Sequence, residues 1–380
     1  MAKTVDKVKT KECNLTYRQT GLDLYRILCC FLITTIHLFG YSEFISSNGI
    51  SVSNYLFVGM VEAFNKIGIN GFVFISAFFL SKRGNKSNIK KIVSFILQLN
   101  FISILVLLLS VVTIKNISIN LAIKSILPIL TQHFWYPFNY LLLLVFSPYL
   151  NTMLENMKKG QVASLLILLI GFNCIFLKIN FFYLSSFFLG HQSHSLIWFF
   201  VLYLTAFYYG KYGSEKAKYG AKILFPISIF LLFLAIIMQK YIPIIEKIKI
   251  LDNDSLLAFI ATYSSFVVFQ NIKLKTNKTI SNIMIYISPA AFIVYIFQEH
   301  DAVRSYLWKY VNVLQYLNSP TYKLALVTVA VFLALMIISI AIYLVYKGAK
   351  KLYLEKVENI LVSYLSNFVT ALSRKFYFDS

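Results

Sequence analysis

The segment GLDLYRILCCFLITTIHLFGYS, residues 21–42, is apolar enough for a bilayer yet carries Asp23, Arg26 and His37. On a helix, the eleven-residue step from Arg26 to His37 rises about 16 Å and turns about 1100°, three turns plus roughly 20°. Both side chains therefore lie on one stripe. An ionisable stripe on an apolar helix must face a protein interior or a wet cavity. Arg holds a phosphate or carboxylate through paired hydrogen bonds, and His exchanges a proton near neutral pH. The pair fits anion binding at one depth and proton transfer at another. Each residue alone has a plainer role: Arg26 snorkelling to lipid phosphates, and His37 filling a packing contact.

Three further segments hold polar or small residues in apolar surroundings. GINGFVFISAFFLSKR, residues 68–83, offers Gly68, Gly71, Ser76 and Ala77 for close helix approach, then the basic residues Lys82 and Arg83. That basic end sets topology or receives a polyanion such as a nucleotide phosphate. HFWYPFNYLLLLVFSPYLN, residues 133–151, gathers His133, Trp135, Tyr136 and Tyr140 at one end, as an interfacial belt or a sugar-stacking surface. IVYIFQEHDAVRSYLW, residues 293–308, closes on Gln298, Glu299, His300 and Asp301. There Glu299 beside His300 can orient or deprotonate a hydroxyl, or simply end a span. His191 and His194 in GHQSHS have no carboxylate or Cys at ligand spacing, so no metal is expected. Cys13, Cys29, Cys30 and Cys174 show no CxxC pattern, and two of them are adjacent.

These groups must be positioned by membrane helices. Of 380 residues, 58% are apolar and 13% charged, and mean hydropathy is +0.71. That excludes a soluble solenoid, a disordered chain and a nucleic-acid-binding domain. At about 20 residues per span, ten spans are read: 22–42, 57–81, 91–114, 133–150, 161–179, 195–211, 221–240, 255–271, 282–299 and 323–347. Segment 117–131, with Lys124 and Pro128, is too short to count as another. The second span is interrupted by Glu62, Asn65 and Lys66, which mark a cavity-lining stretch.

The net charge of +21 tests that count. With both termini in the cytoplasm, 25 Lys and Arg fall inside, 9 outside, and Arg26 and Lys66 within spans. This asymmetry is what the positive-inside rule requires, and an eleventh span would scramble it. The expected fold is therefore an all-α integral membrane bundle of about ten transmembrane helices. A polar, Lys-rich segment 1–20 precedes the membrane domain 21–347, and a cytoplasmic tail 348–380 follows. Nothing at the start reads as a cleavable signal peptide. Walker A, GxGxxG, GxSxG and kinase motifs are absent.

In order along the chain, four blocks resemble the acyltransferase-3 family of integral membrane acyltransferases. They are the Arg-x10-His pattern of Arg26 and His37, the run Gly68–Leu80 followed by basic residues, the block His133–Pro148, and the block Phe292–Arg304. Asn70 stands where the family pattern has Asp, Ala77 where it has Gly, and Gln298 where it has His. Gln298 cannot carry a proton, so an acid or base at that end falls to Glu299 or His300.

The resemblance implies O-acylation of a cell-surface glycan such as capsule or exopolysaccharide, or of a lipid-linked oligosaccharide, at the bacterial plasma membrane. The donor implied is an acyl-CoA, acetyl-CoA above all, bound by Arg26, Lys82 and Arg83 from the cytoplasm. His37, Glu299 and His300 are the implied catalytic groups, and Trp135, Tyr136, Ser76 and Tyr295 the implied substrate contacts. Membrane lipid is the expected surrounding; nucleic acid and metal are not expected. Two other classes share the composition. A polysaccharide polymerase or flippase usually carries a large Arg-rich outer loop, and a secondary transporter shows paired repeats; neither feature is visible.

Overall fold

The computed structural model describes residues 20–112, 117–175, 195–239, 241–242, 250–272 and 278–378. The segment 1–19 and the loop bearing His191 and His194 lie outside the described residues. Within them the chain is helical, with no strand. The helices are α1 (Thr20–Gly40), α2 (Val52–Ser81), α3 (Ile89–Ser110), α4 (Ile119–Ile126), α5 (Trp135–Asn156), α6 (Lys159–Cys174) and α7 (Leu196–Tyr212). They continue with α8 (Glu215–Met238), α9 (Leu256–Gln270), α10 (Lys278–Glu299), α11 (Asp301–Val311), α12 (Thr321–Ala349) and α13 (Glu355–Phe378).

Local chemistry sets many of the starts. Ser51, Ser118, Ser195, Ser214 and Ser255 each accept a backbone N–H from the first turn of α2, α4, α7, α8 and α9. Such a cap is worth about 1 kcal/mol. Five described helices, α1, α2, α3, α8 and α12, are long and apolar enough to cross a membrane. The other expected spans are filled by α5, α6, α7, α9 and α10, which fall short of that length or apolarity. The eight residues of α4 rise about 12 Å, too little to cross a core of about 30 Å. Ile223, Ile227 and Phe230 on α8 and Leu326, Leu333 and Ile337 on α12 are exposed, a surface that suits lipid and not water.

The antiparallel pair α1 and α2 forms the heart of the bundle, with α5, α7, α8 and α9 against α2 and α10 and α12 against α1. Small residues allow the close approach. A Cβ added at Gly71 would lie 2.5 Å from Cys29 Sγ and 2.9 Å from Tyr25 Oη. One at Gly68 would lie 3.3 Å from Leu32 Cβ. Further along the same seam, the Asn65 amide sits 2.6 Å from Thr35 Oγ1. Its neighbour Lys66 faces Glu62 and Asp252.

Asn70 joins three parts of the fold. Its Nδ2 donates to the carbonyls of Asn253, at 2.6 Å, and Lys66, at 3.3 Å, while its Oδ1 accepts Trp198 Nε1–H at 2.9 Å. A carboxylate could keep only the last of these bonds. The amide at this position thus has a structural reason.

Candidate active site

The stripe on α1 meets a matching stripe on α10. Arg26 donates through Nη1 to Asp23 at 3.3 Å and to Ser288 Oγ. Cys30 Sγ donates to the Ala291 carbonyl at 3.5 Å, and His37 Nε2 lies 3.4 Å from Glu299 Oε1. The pairs Arg26/Ser288, Cys30/Ala291 and His37/Glu299 keep nearly the same sequence offset, so α1 and α10 run parallel and in register. Arg26 and His37 therefore lie along one helix–helix interface, as their spacing predicts. Ala290 and Ala291, both buried, leave room for that contact.

Between the two ends lies a tyrosine ladder. Tyr140 reaches Ser76 of α2 and interacts with Arg26. The Tyr136 and Tyr140 rings are parallel at 6.4 Å, and Tyr136 meets Tyr295 at 5.7 Å. Tyr295 in turn sits 6.4 Å from the His37 ring. Tyr136 is thus a core residue and not part of an exposed belt. Trp135 packs edge-on against it at 6.0 Å. Ser76, Tyr136 and Tyr295 are brought into the path from Arg26 to His37, with Trp135 at its flank.

At the far end, Glu299 accepts the Tyr41 hydroxyl on both carboxylate oxygens, at 2.9 and 3.0 Å. Arg304 Nη1 lies 4.0 Å from Oε2. The His37 and Glu299 side chains are each only 12% exposed. An ionised carboxylate only accepts, so a neutral His37 that donates to Glu299 does so from Nε2, with Nδ1 as its accepting nitrogen. The Gln298 side chain adjoins the ring. The buried Tyr295 hydroxyl lies beside Glu299, Tyr41 and the Tyr136 backbone. No motif marks Tyr41 as a site residue, although it lies one turn after His37 on the same face.

His300 is placed differently. Its Nδ1 accepts the Ala302 N–H at 3.2 Å and caps α11, so Nε2 carries the proton of the neutral ring. That nitrogen faces Ser103 Oγ at 3.3 Å and Ser125 Oγ at 3.2 Å. His300 therefore bolts α11 to α3 and α4, and none of these partners belongs to His37. Next to it, Asp301 lies 3.2 Å from Lys124, 3.1 Å from Arg304 and 3.8 Å from His133. Burial opposes ionisation of Asp301, but His133, Lys124 and Arg304 outweigh it and hold the carboxyl below its usual range.

Lys82 and Arg83 stand apart from Arg26. Tyr25 faces Gly71 across the seam, so Lys82, eleven residues further, is about 16 Å beyond that level on the same side. Lys82 Nζ caps the Phe78 ring at 3.9 Å. Among the described residues, no group of three or more His, Cys, Asp or Glu could hold a metal ion.

No curated protein and no solved structure matches the chain. A family model described as an acyltransferase domain matches residues 19–344, from the start of α1 to near the end of α12. The chain belongs to the acyltransferase-3 family.

Proposed function

We propose that this protein moves an acetyl group from cytoplasmic acetyl-CoA to a hydroxyl of an extracytoplasmic glycan, such as capsule or exopolysaccharide. The observation that carries the reading is the parallel register of α1 and α10. It sets Arg26 at one end of their interface and the His37–Glu299 pair at the other. Arg26, with Lys82 and Arg83 nearer the cytoplasm, binds the anionic donor. The acyl end lies along Ser76, Tyr136 and Tyr295, with Trp135 beside the acceptor.

In this mechanism His37 Nδ1 takes the proton of the acceptor hydroxyl, whose oxygen attacks the thioester carbonyl. Glu299 stabilises the imidazolium that forms, as a carboxylate does in a catalytic triad. The Tyr295 hydroxyl donates to the carbonyl oxygen as it gains charge. The tetrahedral centre collapses, the carbon–sulfur bond breaks, and the thiolate takes the proton back from His37. His300 positions α11 and does not touch the acceptor. The same reading sets ten crossings in the cell membrane with both termini cytoplasmic, supported by the 25-to-9 distribution of Lys and Arg.

The test is the O-acetyl content of surface polysaccharide, by NMR, from cells carrying His37→Ala at normal protein level. Loss of acetylation is expected. Unchanged acetylation removes His37 from the chemistry, and altered glycan chain length would point to a polymerase instead.

A further inference from the structure

The last helix, α13, carries a wide apolar face that the bundle leaves uncovered. Val357, Ile360, Leu361, Tyr364, Leu365 and Phe368 recur at helical spacing and are 40–78% exposed. At 100° per residue they cover an arc of about 140°. The other side of the helix holds Lys356, Asn359, Ser363, Ser366, Asn367 and Thr370. One edge is fixed: Glu358, 4% exposed, pairs with Lys350 at 3.1 Å, and Lys350 also donates to Ser94 of α3 at 3.0 Å. This latch fixes the rotation of α13 where it packs on α3, and it leaves the apolar arc exposed.

The occupant can be argued from three observations. First, α13 follows α12, a helix of bilayer length, through a single π turn at Lys350–Leu354, so it begins at a membrane surface. Second, outside the latch, Lys347, Lys351 and Lys356 outnumber Glu355 at that junction and complement anionic headgroups. Third, the arc is wider than the two-position seam of a paired coiled coil and suits a helix lying in an interface.

We propose that α13 lies in the headgroup layer of the leaflet where α12 ends, with its apolar arc in the acyl boundary. Lipid, not a second protein, is its partner. The segment read from sequence as a cytoplasmic tail is on this account a membrane-bound element. By way of the Lys350–Glu358 latch, it anchors the ends of α3 and α12 at the surface.

The full chain is placed in vesicles of phosphatidylcholine and phosphatidylglycerol, with p-benzoyl-phenylalanine at Tyr364, Phe368, Ser363 or Thr370. The same group at Ile337, an exposed position of α12, provides a lipid-facing reference. After irradiation, intact mass is measured. Phospholipid adducts at Tyr364 and Phe368, at least about fivefold above Ser363 and Thr370, are expected. Chain-to-chain adducts at Tyr364 or Phe368 would assign the face to a second copy and overturn the proposal. Equal lipid yields at all four positions, or adducts at Ile337 alone, would overturn it as well.

Discussion

Replacing Glu299 by Gln keeps the shape of the side chain and removes its charge. The carboxylate lies 3.4 Å from His37 Nε2. A full charge pair at that separation interacts by about 5 kcal/mol at an effective dielectric of about 20. Arg304, 4.0 Å away, and the two Tyr41 hydrogen bonds already offset part of the carboxylate charge. With about half remaining, roughly 2–3 kcal/mol acts on His37 only when it is protonated, that is, at the transition state. At 1.36 kcal/mol per tenfold, kcat falls by roughly 30- to 160-fold, with KM little changed. The assay is transfer of radiolabelled acetyl from acetyl-CoA to acceptor polysaccharide, in membranes with matched protein levels. A kcat within about threefold of the wild type would refute the charge-pair reasoning. A rise in KM with kcat intact would make Glu299 a binding residue.

Other perturbations test separate parts of the account. Arg26→Lys keeps the charge and loses the planar fork, so KM for acetyl-CoA should rise about tenfold with kcat nearly unchanged, read from the same assay. Asn70→Asp restores the residue of the family pattern but sets a carboxylate against the Asn253 and Lys66 carbonyls. It should cost about 2–3 kcal/mol in detergent unfolding, and unchanged stability would discount the three-way contact. Asp301 is held below its usual range when folded, so its ion pairs stabilise above the unfolded value of about 4 and are lost as pH falls through the folded one. Protection of α4 and α11 against hydrogen exchange, taken relative to the intrinsic rate at each pH, should therefore fall in acid, and in Asp301→Asn it should already be low at neutral pH.

Much of this organisation is legible in the residues. Apolar runs locate the helices, serines mark five of their starts, and the eleven-residue step puts Arg26 and His37 on one face. Gly68 and Gly71 announce a close seam. What is not legible depends on contacts between distant parts of the chain. The match of Arg26 with Ser288 and of His37 with Glu299 comes from parallel packing across some 260 residues of sequence, which no local period encodes. Glu299 and His300 are adjacent in sequence, yet the end of α10 turns one toward His37 and gives the other to the cap of α11. Tyr136 looks like a belt residue because its neighbours are aromatic, but its burial follows from the approach of α5 to α10. In α13 the apolar residues from Val357 to Phe368 recur at helical spacing, but the segment follows the last apolar span and so reads as a tail.

The central claim is that one groove connects a cytoplasmic thioester to a hydroxyl on the opposite side through His37. It is tested most directly in sealed proteoliposomes of known orientation. Radiolabelled acetyl-CoA is supplied only on the side of Lys82 and Arg83, and polysaccharide from a strain lacking this protein only on the side of Glu299. The account predicts labelled polysaccharide with the wild-type chain and none with His37→Ala. Label transferred equally by His37→Ala, or only when donor and acceptor share one side, would contradict it.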